Sequence, residues 1–291
     1  GIVASASLLG LYARGGHAWV LGFVVLVPWL SALNAVGTFT GALLGGWLMS
    51  VALVAAVFLW FGAALDSYTG IGTLPAVLAL CALAPLLQLQ VLVFAVVRHV
   101  AGRRHGAVLR ALAGASAWVA CEGLWPKLLG DTLGHGLWPA VWLRQAADLG
   151  GAAGITFLLV LVNEALVHAM ARRREGIRTV LRPLACAAAL PLLMAGYGVL
   201  RLSTIESALS APAASMRVAM VQASIVDYER LRRERGAYAV VREVLDTHFS
   251  LSRAAIEHHR ADALLWSETV YPTTFGNPRS DDGAALDREI L

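Results

Sequence analysis

Residues 151–170 read Gly151-Ala152-Ala153-Gly154-Ile155-Thr156-Phe157-Leu158-Leu159-Val160-Leu161-Val162-Asn163-Glu164-Ala165-Leu166-Val167-His168-Ala169-Met170. A single carboxylate, Glu164, interrupts the run. Wound at 1.5 Å per residue, it reaches about 30 Å, the thickness of bilayer hydrocarbon. One such segment would also suit the core of a large soluble protein, so its surroundings decide. The chain is 58% hydrophobic and only 14% charged, with a mean hydropathy of +0.67. Soluble domains carry roughly 25% charged residues, so this is a membrane chain. Further spanning helices are expected at 18–33, 37–65, 71–97, 107–124 and 181–200. The first apolar stretch, 1–12, would reach only about 18 Å and reads as the remnant of another crossing. That gives about seven helices over residues 1–202, the first incomplete. Run 37–65 is long enough to tilt or to break near Gly45 and Gly46. Pro75 and Pro85 are expected to kink run 71–97, freeing carbonyls that the amides of Gln88 and Gln90 would satisfy.

Orientation follows from basic residues in short connections, because cytoplasmic loops accumulate arginine and lysine. Arg98, Arg103, Arg104 and Arg110 form one cluster, and Arg172, Arg173, Arg174, Arg178 and Arg182 a second. The other side holds Arg14, Lys127 and Arg144. Seven crossings threaded through this bias place the chain start inside and everything beyond about Ser203 outside. The net charge of +4 is dispersed among these loops and forms no single basic face, which excludes nucleic-acid binding. Cys81, Cys121 and Cys186 sit in apolar runs without metal-ligand spacing and read as small hydrophobes.

Composition changes after Leu200. Residues 203–215 read as a linker, and 216–291 as the start of a soluble unit. There, 217–222 is expected to be a short buried strand. An amphipathic helix follows, with Tyr238, Val241, Leu245, Phe249 and Ile256 on its apolar face and Arg242, Glu243, Asp246, Arg253 and Glu257 on its solvated side. Residues 263–266 form a second strand that ends at Ser267 and Glu268. Strand, helix, strand is the opening of an α/β layer domain, although two strands are too few to close a core. Glu268 stands just past a strand end, where active sites of layered α/β folds lie and where carboxylates also cap turns.

Three segments carry a resemblance. Leu264-Leu265-Trp266-Ser267-Glu268-Thr269-Val270-Tyr271-Pro272 resembles the Trp-Pro-Glu-Thr segment of apolipoprotein N-acyltransferases, membrane-bound members of the nitrilase-like superfamily of carbon-nitrogen hydrolases. Val218-Ala219-Met220-Val221-Gln222 resembles their first strand, which also ends in Val-Gln. Gln145-Ala146-Ala147-Asp148-Leu149-Gly150-Gly151, running on through Gly154 to Asn163, resembles their penultimate membrane loop and the helix after it. Ser267 replaces the family's proline. The Ile-Pro-Gln and Lys-Trp elements are missing from 224–231, and a different loop stands around 127–138, so no lipid-contacting residue is carried over.

The resemblance implies a polytopic helical bundle in the bacterial inner membrane, followed by a periplasmic α-β-β-α sandwich bearing a Glu-Lys-Cys triad. Of that triad only Glu268 has a matching position. The implied reaction moves a fatty acyl group from a phospholipid donor, through a cysteine thioester, to the α-amine of a diacylglyceryl-apolipoprotein, with no cofactor. No lysine or cysteine follows Cys186. The chain is therefore expected to be the N-terminal portion of the enzyme and inactive alone. Two other readings stand beside this one: a transporter or scaffold with a nitrilase-like external segment, and another nitrilase-related amidase or acyltransferase. Few charges lie within the spans, which disfavours transport.

Other polar residues have simpler expectations. Glu122, at the outer end of a span, matches a family glutamate and is expected to be hydrated at the boundary. Asn163 and Glu164 are expected to bond between helices or to snorkel. Gly150, Gly151 and Gly154 lack the strand that precedes a nucleotide loop and suggest close helix packing. His248, His258 and His259 have no zinc spacing and are expected on a solvated helix face.

Overall fold

The computed structural model describes residues 1–127, 130–209, 215–225, 228–267, 276–278, 284–285 and 287–288. The chain divides into two units, Gly1–Ser210 and Ala211–Leu291.

The first unit is helical. Its helices are α1 (Ile2–Tyr12), α2 (Val27–Asn34), α3 (Phe39–Val57), α4 (Leu59–Thr69), α5 (Thr73–Leu87), α6 (Leu89–Arg104), α7 (Ala107–Leu124), α8 (Val141–Arg144), α9 (Ala147–Ala171) and α10 (Ile177–Leu209). A 3₁₀ segment, Gly16–Phe23, leads into α2, and another, Leu133–Leu137, precedes α8. Among the described residues, five stretches are long and apolar enough to cross a membrane: Gly16–Asn34, Phe39–Val57, Ala107–Leu124, Ala147–Ala171 and Ile177–Leu209. The pair α5 and α6, bent by 43°, supplies a sixth, and α1 is a shorter apolar helix. Trp29, Phe94 and Trp118 stack through the middle of the core, with ring centroids 5.5 Å apart at each step.

Several breaks fall where local chemistry puts them, which corrects the sequence-based expectation. Helix α3 passes unbroken through Gly45 and Gly46 and stops at Phe58 (φ −115°, ψ 12°). Gly46 serves contact: a Cβ there would stand 3.0 Å from the Leu92 Cα of α6. Pro75 lies in the first turn of α5, where a missing N–H costs nothing. Pro85 precedes the break at Gln88, where the backbone leaves helical geometry (φ −122°, ψ 47°). The Gln88 carbonyl accepts from the Val91 N–H at 3.1 Å, and the hydroxyl of Ser50 donates to it at 3.3 Å. Among the described residues, nothing would meet a Cβ at Gly150, Gly151 or Gly154, so they do not pack against a neighbouring helix; the first two kink α9, with Gly151 at φ +65° where L-residues are strained. Arg98 is not a loop residue: α6 continues to Arg104, and Arg98 is buried within it at 4% exposure.

The second unit contains β1 (Val218–Val221), α11 (Tyr228–Arg235), α12 (Ala237–His259) and β2 (Ala263–Trp266). The strands pair in parallel, from Val218 opposite Ala263 to Val221 opposite Trp266. Parallel strands require a crossover, here α11 and α12, and this makes the strand-helix-strand opening of an α/β layer. Strand β1 is less buried than expected: Val221 is covered, but Met220 is 82% exposed because nothing among the described residues packs on that face. The buried stripe of α12 is also shifted. It runs through Leu245, His248, Ser252 and Ala255, while Tyr238 and Ile256 face outward.

Candidate functional site

Both strands of the second unit run in the same direction, so the chain leaves β1 at Gln222 and β2 at Ser267 on one edge of the sheet. In open α/β sheets, ligands bind beyond the carboxyl ends of the strands. A cavity of about 630 Å³ lies at that edge, lined by Gln222 and Ser224 after β1, Trp266 and Ser267 from β2, and Val244 and His248 from α12. Trp266 is fixed on three sides. Its indole N–H donates to Ser252 Oγ at 2.9 Å, and its ring sits 5.2 Å from the His248 ring and 5.4 Å from that of Phe249. His248 is buried, not solvated, because the aromatic pair needs its ring; its Nδ1 stands 2.8 Å from the Val244 carbonyl. His258 and His259 are exposed, as expected. Glu268 lies outside the described residues, one position beyond Ser267.

The helical unit holds two polar clusters. In the first, Glu164 of α9 takes a bidentate approach from Arg98 of α6: Arg98 Nε pairs with one carboxylate oxygen, and Nη2 donates to the other at 3.1 Å. Arg110 of α7 stands 3.6 Å from the same carboxylate, and Arg98 also donates to Asn34 Oδ1 at 2.9 Å. Glu164 therefore does not snorkel; it is neutralised in place, since an unpaired charge at this depth would be far costlier. The neighbouring Asn163 bonds between elements as expected. Its Oδ1 accepts from Leu26 N–H at 2.9 Å, and its Nδ2 donates to the Gly22 carbonyl at 3.0 Å.

The second cluster surrounds Glu122 near the end of α7. Its side chain is 7% exposed and bonded, not hydrated: Thr132 Oγ1 donates to it at 2.7 Å, and Lys127 Nζ lies 3.5 Å away. Thr132 in turn lies 2.6 Å from Thr156 Oγ1, which accepts from Gly134 N–H at 2.8 Å. Lys127 also meets the Asp131 carboxylate at 3.5 Å, and Gln88 Nε2 donates to that carboxylate at 3.3 Å. Gln90 donates to Gln88 Oε1, so both amides belong to this network rather than to the kink carbonyl. A cavity of about 330 Å³ adjoins the cluster, and Trp118 on its wall has a buried indole N–H with no hydrogen-bond partner among the described residues.

The sequence of these helices matches a known domain: the family model of the apolipoprotein N-acyltransferase N-terminal domain covers residues 5–165, more than half of the chain. The chain belongs to the apolipoprotein N-acyltransferase family. No curated protein matches it. The match spans α1 to most of α9, and so includes both polar clusters. It agrees with a multi-pass membrane region followed by the opening of an α/β unit. The members of this family are acyltransferases of the bacterial inner membrane that act on lipid and lipoprotein substrates.

Sequence reasoning singled out Glu122 and Glu164 but missed Asp131 and the pairing of these carboxylates with Arg98, Arg110 and Lys127. Glu122 and Glu164 stood out as charges in apolar runs, but Arg98 looked like a loop residue because it follows Val97 at the end of a hydrophobic stretch. The available signal was arithmetic: a carboxylate in the middle of one span calls for a cation in another.

Proposed function

We propose that this protein is an N-acyltransferase that moves a fatty acyl chain from a phospholipid to the α-amine of the diacylglyceryl-cysteine at the start of an apolipoprotein. Family membership across the bundle is the observation that carries this reading. The parallel strand pair adds support, since it brings the chain to Ser267 at the sheet edge where a catalytic carboxylate belongs. In this reading residues 1–202 form the bundle, 203–215 link it to the outside, and 216–291 begin a nitrilase-like periplasmic domain.

Glu268 is the base. It takes the proton from a cysteine thiol, the thiolate attacks the ester carbonyl of the donor, and the lysophospholipid leaves with a proton. The acceptor amine then attacks the thioester and frees the thiol, while a lysine ammonium stabilises the oxyanion of each step. That cysteine and lysine are not among residues 187–291. Both substrates are held by lipid, which is a physical reason for tethering the catalytic unit to a membrane bundle.

In the intact protein, Glu268→Gln should abolish acyl transfer and leave membrane insertion unchanged. Turnover at the wild-type rate would remove Glu268 from the mechanism. An acyl thioester trapped on Cys81, Cys121 or Cys186 would overturn the assignment of the nucleophile.

A further inference from the structure

A groove of about 1000 Å³ runs between α7 and α10 with α9 as its floor. Val108 and Leu112 of α7, Leu161 of α9, and Leu181 and Leu190 of α10 make its walls apolar. Much of this surface is open, with Val108 at 75% and Leu181 at 53% exposure. At one end the lining turns basic, with Arg178 and Arg182 one helical turn apart on α10. Both guanidinium groups are exposed, and among the described residues neither forms an ion pair. The third arginine of the lining, Arg172, is held by Glu175 at 2.7 Å. Glu164, the one carboxylate in the lining, is already countered by Arg98 and Arg110, so it does not repel an anion.

An apolar trough that ends in two uncommitted guanidinium groups fits one kind of occupant: an amphiphile with an anionic head. We propose that this groove binds an anionic glycerophospholipid, its phosphate on Arg178 and Arg182 and one acyl chain along the trough. Side chains four residues apart on a helix share a face, and guanidinium groups bind phosphate oxygens through paired N–H donors. Basic pockets between spanning helices are suited to such headgroups. The apolar walls favour a lipid over free phosphate, because only a lipid has a chain to cover them. The site is separate from the acyl-transfer reading and does not depend on it.

The test is native mass spectrometry of the intact protein in detergent, titrated with dioleoyl phosphatidylglycerol, dioleoyl phosphatidylcholine or inorganic phosphate. One phosphatidylglycerol should bind at least tenfold more tightly than phosphatidylcholine, and should not be displaced by phosphate. The double variant Arg178→Ala/Arg182→Ala should lose at least tenfold in affinity. The control Arg173→Ala/Arg174→Ala removes the same charge outside the groove and should bind like the wild type. Equal binding of the two lipids, displacement by phosphate alone, or an equal loss in the control would each overturn the proposal. Cys186 gives a second readout, since it is exposed and lines the groove. Its alkylation by a maleimide should slow severalfold with phosphatidylglycerol in the wild type and not in Arg178→Ala/Arg182→Ala; an unchanged rate in the wild type would also sink the idea.

Discussion

The two polar clusters of the bundle are built on opposite charge ratios. Around Glu164 one carboxylate serves two guanidinium groups, Arg98 and Arg110; around Lys127 one ammonium serves two carboxylates, Glu122 and Asp131. Arg110 and Glu122 lie twelve positions apart on α7, about 18 Å of helical rise, so the clusters stand well apart along one helix. Among the described residues the Glu164 cluster has no spare carboxylate, so Arg98 depends on a single anion. The Lys127 cluster has one to spare and borders a cavity. A buried charge group without redundancy is structural, whereas one with redundancy can lose a member without collapse.

Substitutions can break that contrast. The largest effect should come from Glu164→Ala, which leaves Arg98 buried with only the Asn34 oxygen beside it. Removing one partner of a buried pair costs about 3–5 kcal/mol. Thermal unfolding in detergent should show a much lower Tm, and Arg98→Leu/Glu164→Leu should be milder than the single change. A Tm near that of the wild type for Glu164→Ala would end the structural reading of the cluster.

Next in size is Asn163→Leu, which strands the Leu26 N–H and the Gly22 carbonyl where the first long span changes from 3₁₀ to α-helix. The expected cost is about 1–3 kcal/mol. Faster hydrogen exchange at the Leu26 amide would register it, and unchanged protection would show that the side chain is dispensable. The smallest effect on stability belongs to Glu122→Gln. Lys127 keeps the Asp131 carboxylate and Thr132 keeps an oxygen acceptor, so the loss should stay within about 1 kcal/mol. If Glu122→Gln unfolds as readily as Glu164→Ala, redundancy does not distinguish the clusters.

The sequence made the bundle legible because hydrophobic length is a one-dimensional property. Runs such as 107–124 reappear as helices with the same limits. Interruptions were harder to place. Gly45 and Gly46 suggested a break and instead allow close approach to α6, while Gly150 and Gly151 suggested packing and instead make a kink. A glycine permits either outcome, and only the neighbouring helix decides between them. The strand, helix, strand order after Met216 was legible from its change of period. The buried stripe of α12 was not, because His248 and Ser252 are covered through their contacts with Trp266, which no hydrophobicity pattern encodes.

The bonds of Asn163 also carry a consequence for biogenesis. The backbone groups they satisfy, at Leu26 and Gly22, lie 137 and 141 positions earlier in the chain. At 5–20 residues per second, a ribosome takes roughly 7–28 s to reach their partner. During that interval the nascent first long segment lacks the side chain that satisfies these two main-chain groups in the finished fold. The early part of this protein is thus completed by a late one, and a chain stopped short of α9 should be a ready substrate for membrane proteases.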